Sequence, residues 1–217
     1  MKTNQEYKNS ALATLKGLWA YAVLVTAVYL AISLLCSSGS SASSFLDSLQ
    51  AAMPWFAGGS AILSLFVTSP LLVGFDNAFL ALYRRSDTNM VENMFKFGFQ
   101  DYTRTVWTML LRGIKVLLWS LLLLVPGIIK SFAYAMTPYI LRDCPELSAS
   151  EAIKKSEEMM KGHKFDLFYL YLSFIGWFIL AIITAGIGFL WLVPYVQASE
   201  AAFYEDLKGT DPIIVEI

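Results

Sequence analysis

Asp76, Glu200, Arg112 and Lys115 are charged side chains set inside apolar runs, and they are the residues of this 217-residue chain best placed to do chemistry. A lone charge in hydrocarbon costs several kcal/mol, from about 3 upward, so such groups pair with one another or face water. Two acids and two bases of this kind could build an ion, proton or headgroup site, or a purely structural ion pair. Either way, Asp76 and Glu200 are expected to face the interior of a helical bundle, near Arg112 or Lys115.

The remaining inventory is thin. His163 is the only histidine, and its three-residue spacing to Asp166 brings the two together on a helix. Flanked by Gly162 and Lys164 at a membrane edge, it reads as interfacial. Cys36 and Cys144 fall on opposite sides of the topology below, so neither a disulfide nor a soft-ligand metal cluster is expected. No Gly-x-Ser-x-Gly elbow, phosphate-binding loop or dinucleotide fingerprint is present. No enzyme activity, cofactor or metal is therefore expected. A net charge of −1 also argues against a nucleic-acid partner, which needs a concentrated basic face.

The elements that must hold these residues are membrane helices. Apolar residues make up 57% of the chain and charged ones 15%, and the mean hydropathy is +0.56. That is too apolar for a water-soluble domain of this size. The expectation is an all-α, polytopic integral membrane protein in a single domain, 1–217. Its six spans are read at about 17–35, 54–83, 106–125, 128–141, 165–183 and 189–207, as three hairpins.

The first run follows Lys2, Lys8 and Lys16 and precedes Ser40-Ser41-Ala42, as a signal peptide would. It is longer than a usual signal core and reads as a retained helix. Pro126-Gly127 is expected to break the third run from the fourth, and Ala185-Gly186-Ile187-Gly188 to turn the fifth into the sixth. Aromatic residues among charges in 84–105 suit the headgroup layer. Ser148 and Glu151 fit a capping box and Gly162 a helix stop, giving an amphipathic helix at about 148–162 along the cytoplasmic surface. Glu146, Glu151, Glu157 and Glu158 balance its lysines, so it lacks the uncompensated charge of a polybasic switch.

Drawn this way, fifteen of the sixteen Lys and Arg residues fall on one side. Basic residues are retained on the cytoplasmic side, so both termini are expected there. Lys130 is the exception, on the outer half, where its stem extends outward or its charge faces a cavity.

The second and sixth runs also align at an offset of 124 residues. Pro70, Gly74, Asp76, Ala78 and Phe79 match Pro194, Ala198, Glu200, Ala202 and Phe203, and Ser60, Ala61 and Leu63 face Thr184, Ala185 and Ile187 upstream. Duplication and simple helix packing both explain the match. Small residues one turn apart allow two membrane helices to approach closely.

Ala135-Met136-Thr137-Pro138-Tyr139, Glu151-Ala152-Ile153, Met160-Lys161-Gly162-His163-Lys164, Leu172-Ser173-Phe174-Ile175-Gly176-Trp177, Gly186-Ile187-Gly188, Pro194-Tyr195 and Ala202-Phe203-Tyr204-Glu205-Asp206-Leu207 carry a resemblance. From about Phe132 to Leu207 the chain resembles the bacterial integral-membrane family called domain of unknown function 975. It is more distantly similar to the membrane domain attached to some glycerophosphodiester phosphodiesterases. The resemblance implies several helices in a bacterial cytoplasmic membrane and no activity. The His-Arg-Gly type catalytic elements of the phosphodiesterase are absent here. The expected function is a non-enzymatic membrane protein that interacts with lipid, a protein partner or a second copy. The alternative is a small transporter or channel around Asp76, Glu200, Arg112 and Lys115.

Overall fold

The computed structural model describes residues 1–38, 54–85 and 88–210, and every regular element among them is an α-helix. Most of the Ser-rich loop with Asp47, the Ser40-Ser41-Ala42 stretch, Asp87 and the tail containing Ile213–Ile217 lie outside the described residues. So do the side chains of Ser60, Ala61 and Leu63, which the repeat invoked.

The chain opens on a helix that the apolar runs did not announce. α1 (Asn4–Leu15) is capped by Thr3 and Glu6, whose carboxylate accepts from the Thr3 backbone N–H at 2.6 Å. It buries Tyr7, Ala11 and Leu15 at a spacing of four, one helical face. At Gly17, whose φ of +82° suits a residue without a Cβ, the chain bends by 98° into α2 (Trp19–Ser38).

α3 (Pro54–Tyr83) is the long second run, with Pro70 inside it. The segment expected in the headgroup layer is a helix instead, α4 (Met90–Phe99), which buries Met90, Asn93, Met94 and Gly98. α4 folds back on α3 so closely that a Cβ on Gly74 would lie 1.8 Å from the Met94 carbonyl oxygen, and one on Gly98 2.3 Å from that of Pro70. Close approach through small residues is therefore used, but between α3 and α4.

α5 (Tyr102–Leu122) and α6 (Leu124–Ala133) form a hairpin. It breaks at Leu123, in extended conformation, and not at Pro126-Gly127. Pro126 sits in the first turn of α6, where its missing N–H removes no helical bond. A Cβ on Gly127 would lie 2.0 Å from Ser120 Oγ, so this glycine lets the two arms close. A turn at Tyr134–Met136 leads to α7 (Thr137–Asp143).

α8 (Ala149–Met159) is the expected polar helix, with the Ser148–Glu151 capping box in place and Gly162 at φ +90° beyond its end. The fifth run is two segments, α9 (Lys164–Leu172) and α10 (Ile175–Ile183). A turn with positive φ at Ala185 and Gly186 leads into α11 (Phe189–Thr210), with Pro194 inside it.

Four helical stretches are long and apolar enough to cross a membrane: Phe66–Tyr83, Tyr102–Leu122, Leu124–Asp143 and Lys164–Ile183. The bent α1–α2 pair makes a fifth if it is one span. The expected count of six is not reached. α11 is not among them, because Glu200, Glu205, Asp206 and Lys208 make its second half too polar. Its inner face is made of other residues: Ala198, Ala201, Ala202, Phe203 and Tyr204 are all buried. α11 is thus an inner staff, with α1 running along it through Tyr7, edge-on to Phe203 at 5.3 Å. Exposed apolar side chains are most numerous on α5, α6, α9 and α10, among them Leu121, Ile128, Phe165, Trp177, Ile179 and Ile183.

Candidate functional site

Asp76 on α3, Glu200 on α11 and Arg112 on α5 come together where these helices meet α9. Asp76 is 8% exposed and lies beside Gln197, almost one turn before Glu200. Tyr171 of α9 lies beside Glu200. Both carboxylates act electrostatically on Arg112. Their formal charges sum to −1, since two acids share one guanidinium. Tyr139 of α7 closes the cluster: it stacks on Tyr204 at 4.9 Å, while its buried hydroxyl has no hydrogen-bond partner.

Lys115 is not part of this arrangement. The groups that act on Asp76 and Glu200 include Arg112 but not Lys115. Three residues along a helix is about 4.5 Å of rise and 300° of rotation, which carries Lys115 past the acids toward the hairpin tip. The expectation of Arg112 or Lys115 as partner resolves in favour of Arg112.

A surface groove of about 570 Å³ reaches the site from outside. It is lined by Arg112 together with Tyr29, Thr68, Ser69, Ser120 and Ser131, among others. Asp76 and Glu200 are not in its lining, so the guanidinium stands between the groove and the acids. Among the described residues that guanidinium makes one hydrogen-bond contact, a weak one, Nη1 to Met109 Sδ at 3.9 Å.

A second polar cluster ties the ends of α3, α7 and α11 and was not anticipated. Arg84 grips Asp143 with two hydrogen bonds, Nη1 to Oδ1 at 2.7 Å and Nη2 to Oδ2 at 2.5 Å, and its Nε donates to Glu205 at 2.7 Å. Lys208 and Tyr204 each donate to Asp143 Oδ2 at 3.0 Å. In the sequence Arg84 is one more basic residue at the end of an apolar run. The cue for a partner lay in acids at the ends of two distant runs, a pairing that spacing in one sequence does not encode.

Nearby, Arg142 donates to the Asn77 carbonyl at 2.8 Å and covers the Phe97 ring at 3.9 Å. His163 Nδ1 lies 2.9 Å from Asp166 Oδ2, the pair their spacing suggested. Both cysteines are free, Cys144 buried and Cys36 partly so.

Lys130, expected on the outer half, donates from Nζ to Glu157 Oε1 at 2.5 Å, and Glu157 belongs to α8, the helix expected along the cytoplasmic surface. The pair sets Lys130 beside α8.

A family model described as "Protein of unknown function (DUF975)" matches residues 121–211, from the end of α5 through α11. No curated protein and no solved structure matches the chain.

Proposed function

We propose that this chain, which a model of that family of unknown function matches over residues 121–211, is a non-enzymatic multi-pass protein of a bacterial cytoplasmic membrane that works through contact with lipid. The observation that carries the reading is the apolar surface of α9 and α10: Phe165, Phe168 and Leu172 on the first and Trp177, Ile179 and Ile183 on the second stand exposed. Contiguous apolar surface of this kind is untenable in water and matched by acyl chains. Both termini lie on the cytoplasmic side, with α2, α3, α9–α10 and α11 threading the bilayer. The polar cluster then acts as a clasp that fixes four helices in register, since buried charge is tolerated in lipid only when paired.

A second reading is favoured by the formal charge of −1 at Asp76, Glu200 and Arg112, which one proton or one monovalent cation would balance. That reading is transport, with the groove beside Arg112 as an entrance. Purification in native lipid particles with identification of retained lipids and proteins, followed by flux assays in liposomes, separates the two. Retained lipid without ion or proton flux supports the lipid-contact reading. Flux that is abolished by Asp76→Asn or Glu200→Gln replaces it with transport.

A further inference from the structure

We infer that the α5–α6 hairpin is a wedge that enters a single leaflet of the bilayer from the face carrying α8, and does not cross the membrane. The inference rests on the membrane reading above and refines its topology.

Fourteen residues, 116–129, separate Lys115 from Lys130, and none of them is charged. Folded at Leu123, each arm rises roughly 10 Å at about 1.5 Å per residue. A bilayer core is about 30 Å thick, and an apolar run of 10–14 residues suits a re-entrant or interfacial element rather than a crossing. Length alone leaves the arms below this stretch free to extend the span. The packing of α8 removes that option.

α8 lies against both arms. Its Ile153 forms a buried cluster with Ala133 and Tyr134, against which Leu111 and Val116 of α5 pack. Ser156 Oγ donates to the Ala133 carbonyl at 3.0 Å, and Lys130 donates to Glu157. The outward face of α8 carries Lys154 and Glu158, 3.8 Å apart, with side chains 74% and 60% exposed. That face cannot lie in hydrocarbon. The lower hairpin beside it is therefore at headgroup level or in water, and only the tip beyond Val116 and Lys130 is left for lipid.

That tip is suited to acyl chains. Leu121 is 84% exposed and Leu124 71%, with no polar neighbour between them in sequence. The boundary is marked as well. Lys130 Nζ lies 5.1 Å over the Trp119 ring, an aromatic–cation pair of the kind that settles at the membrane interface. A hairpin that returns to its own face also leaves the termini on one side. Lys130 then joins the other fifteen basic residues on that face, and the charge asymmetry has no exception.

The test places single cysteines at Leu122 and, as a second position, Val125, in the full chain with Cys36→Ser and Cys144→Ser, in sealed vesicles of each orientation. Lys154→Cys reports the α8 face and Ile179→Cys the bilayer interior. A membrane-impermeant maleimide is expected to label neither tip position from either side, and a fluorophore attached there in detergent is expected to be quenched by lipids spin-labelled on their chains after reconstitution. Labelling of the tip from the face opposite Lys154→Cys means that the hairpin crosses, and overturns the inference. Labelling from the Lys154→Cys face without quenching also overturns it, by putting the tip in water or on a protein partner. If Ile179→Cys is itself labelled from water, the membrane reading fails, which is a separate outcome from a failure of the wedge.

Discussion

Arg112 is the residue on which the central cluster turns, because without it two buried carboxylates face one another with no counter-charge. Arg112→Gln is expected to lower thermal stability in detergent markedly, in the range of about 3–5 kcal/mol for leaving buried charge uncompensated. Asp76→Asn in the same chain is expected to recover part of that loss, a coupling of about 0.5–3 kcal/mol between neighbours. Additive losses would show that the two do not interact. At the other cluster, Arg84→Ala breaks the two-pronged grip on Asp143 and should cost several times more than Arg85→Ala, an exposed neighbour expected to stay within about 0.5 kcal/mol. The sequence made Asp76, Glu200 and Arg112 visible because charge inside an apolar run is rare. It left Arg84 and Asp143 unmarked because each sits at the end of a run, where any charge is ordinary. Lys115 was drawn into the wrong group for a related reason, since spacing gives distance along a helix but not which side chain turns toward a partner.

Among elements, α4 shows where apolar pattern misleads. Its aromatics and charges fit an interfacial stretch, yet Met90, Met94 and Gly98 form the inner stripe of a helix pressed on α3. Gly98 was the available signal, and it acquires meaning only beside Gly74. Gly74→Ala is expected to force these helices apart and destabilise the protein by about 1–3 kcal/mol as overpacking. Gly113→Ala, with open space around it, should be near neutral or slightly stabilising through helix propensity. Denaturation midpoints of the two variants check this pair. The α8 cap was legible from Ser148 and Glu151, as was the turn at Ala185–Gly188, because local motifs carry their own geometry. Side-chain and backbone hydrogen bonds from Ser148 hold the Glu151 carboxyl below its ordinary range. A carboxyl so depressed adds stability that is present above the unfolded value, about 4.3, and lost as pH falls through the folded one. Amide exchange in the first turn of α8 is expected to quicken across that window in the native chain, and to lose this pH dependence in Glu151→Gln.

For the whole molecule, hydropathy pointed to an all-helical chain with several apolar runs, and among the described residues four helical stretches, or five with the bent α1–α2 pair, are long and apolar enough to cross a membrane. A run of apolar residues is the same signal whether it faces lipid, dips into one leaflet or, as in α11, packs as the inner staff of a bundle. What distinguishes these cases is contact with elements distant in sequence: α8 against the α5–α6 hairpin, and α1 against α11. In the proposed topology the Lys130–Glu157 pair puts Lys130 with the other basic residues, and the charge distribution is then one-sided. The most direct measurement is side-specific labelling of Lys16→Cys, Arg85→Cys and Lys154→Cys, all at exposed positions, with Ile187→Cys in the α10–α11 turn as the opposite marker. The expected result is labelling of the first three from one face of sealed membranes and of Ile187→Cys from the other. Labelling of any two of the first three from opposite faces, or of Ile187→Cys from their face, would contradict the account.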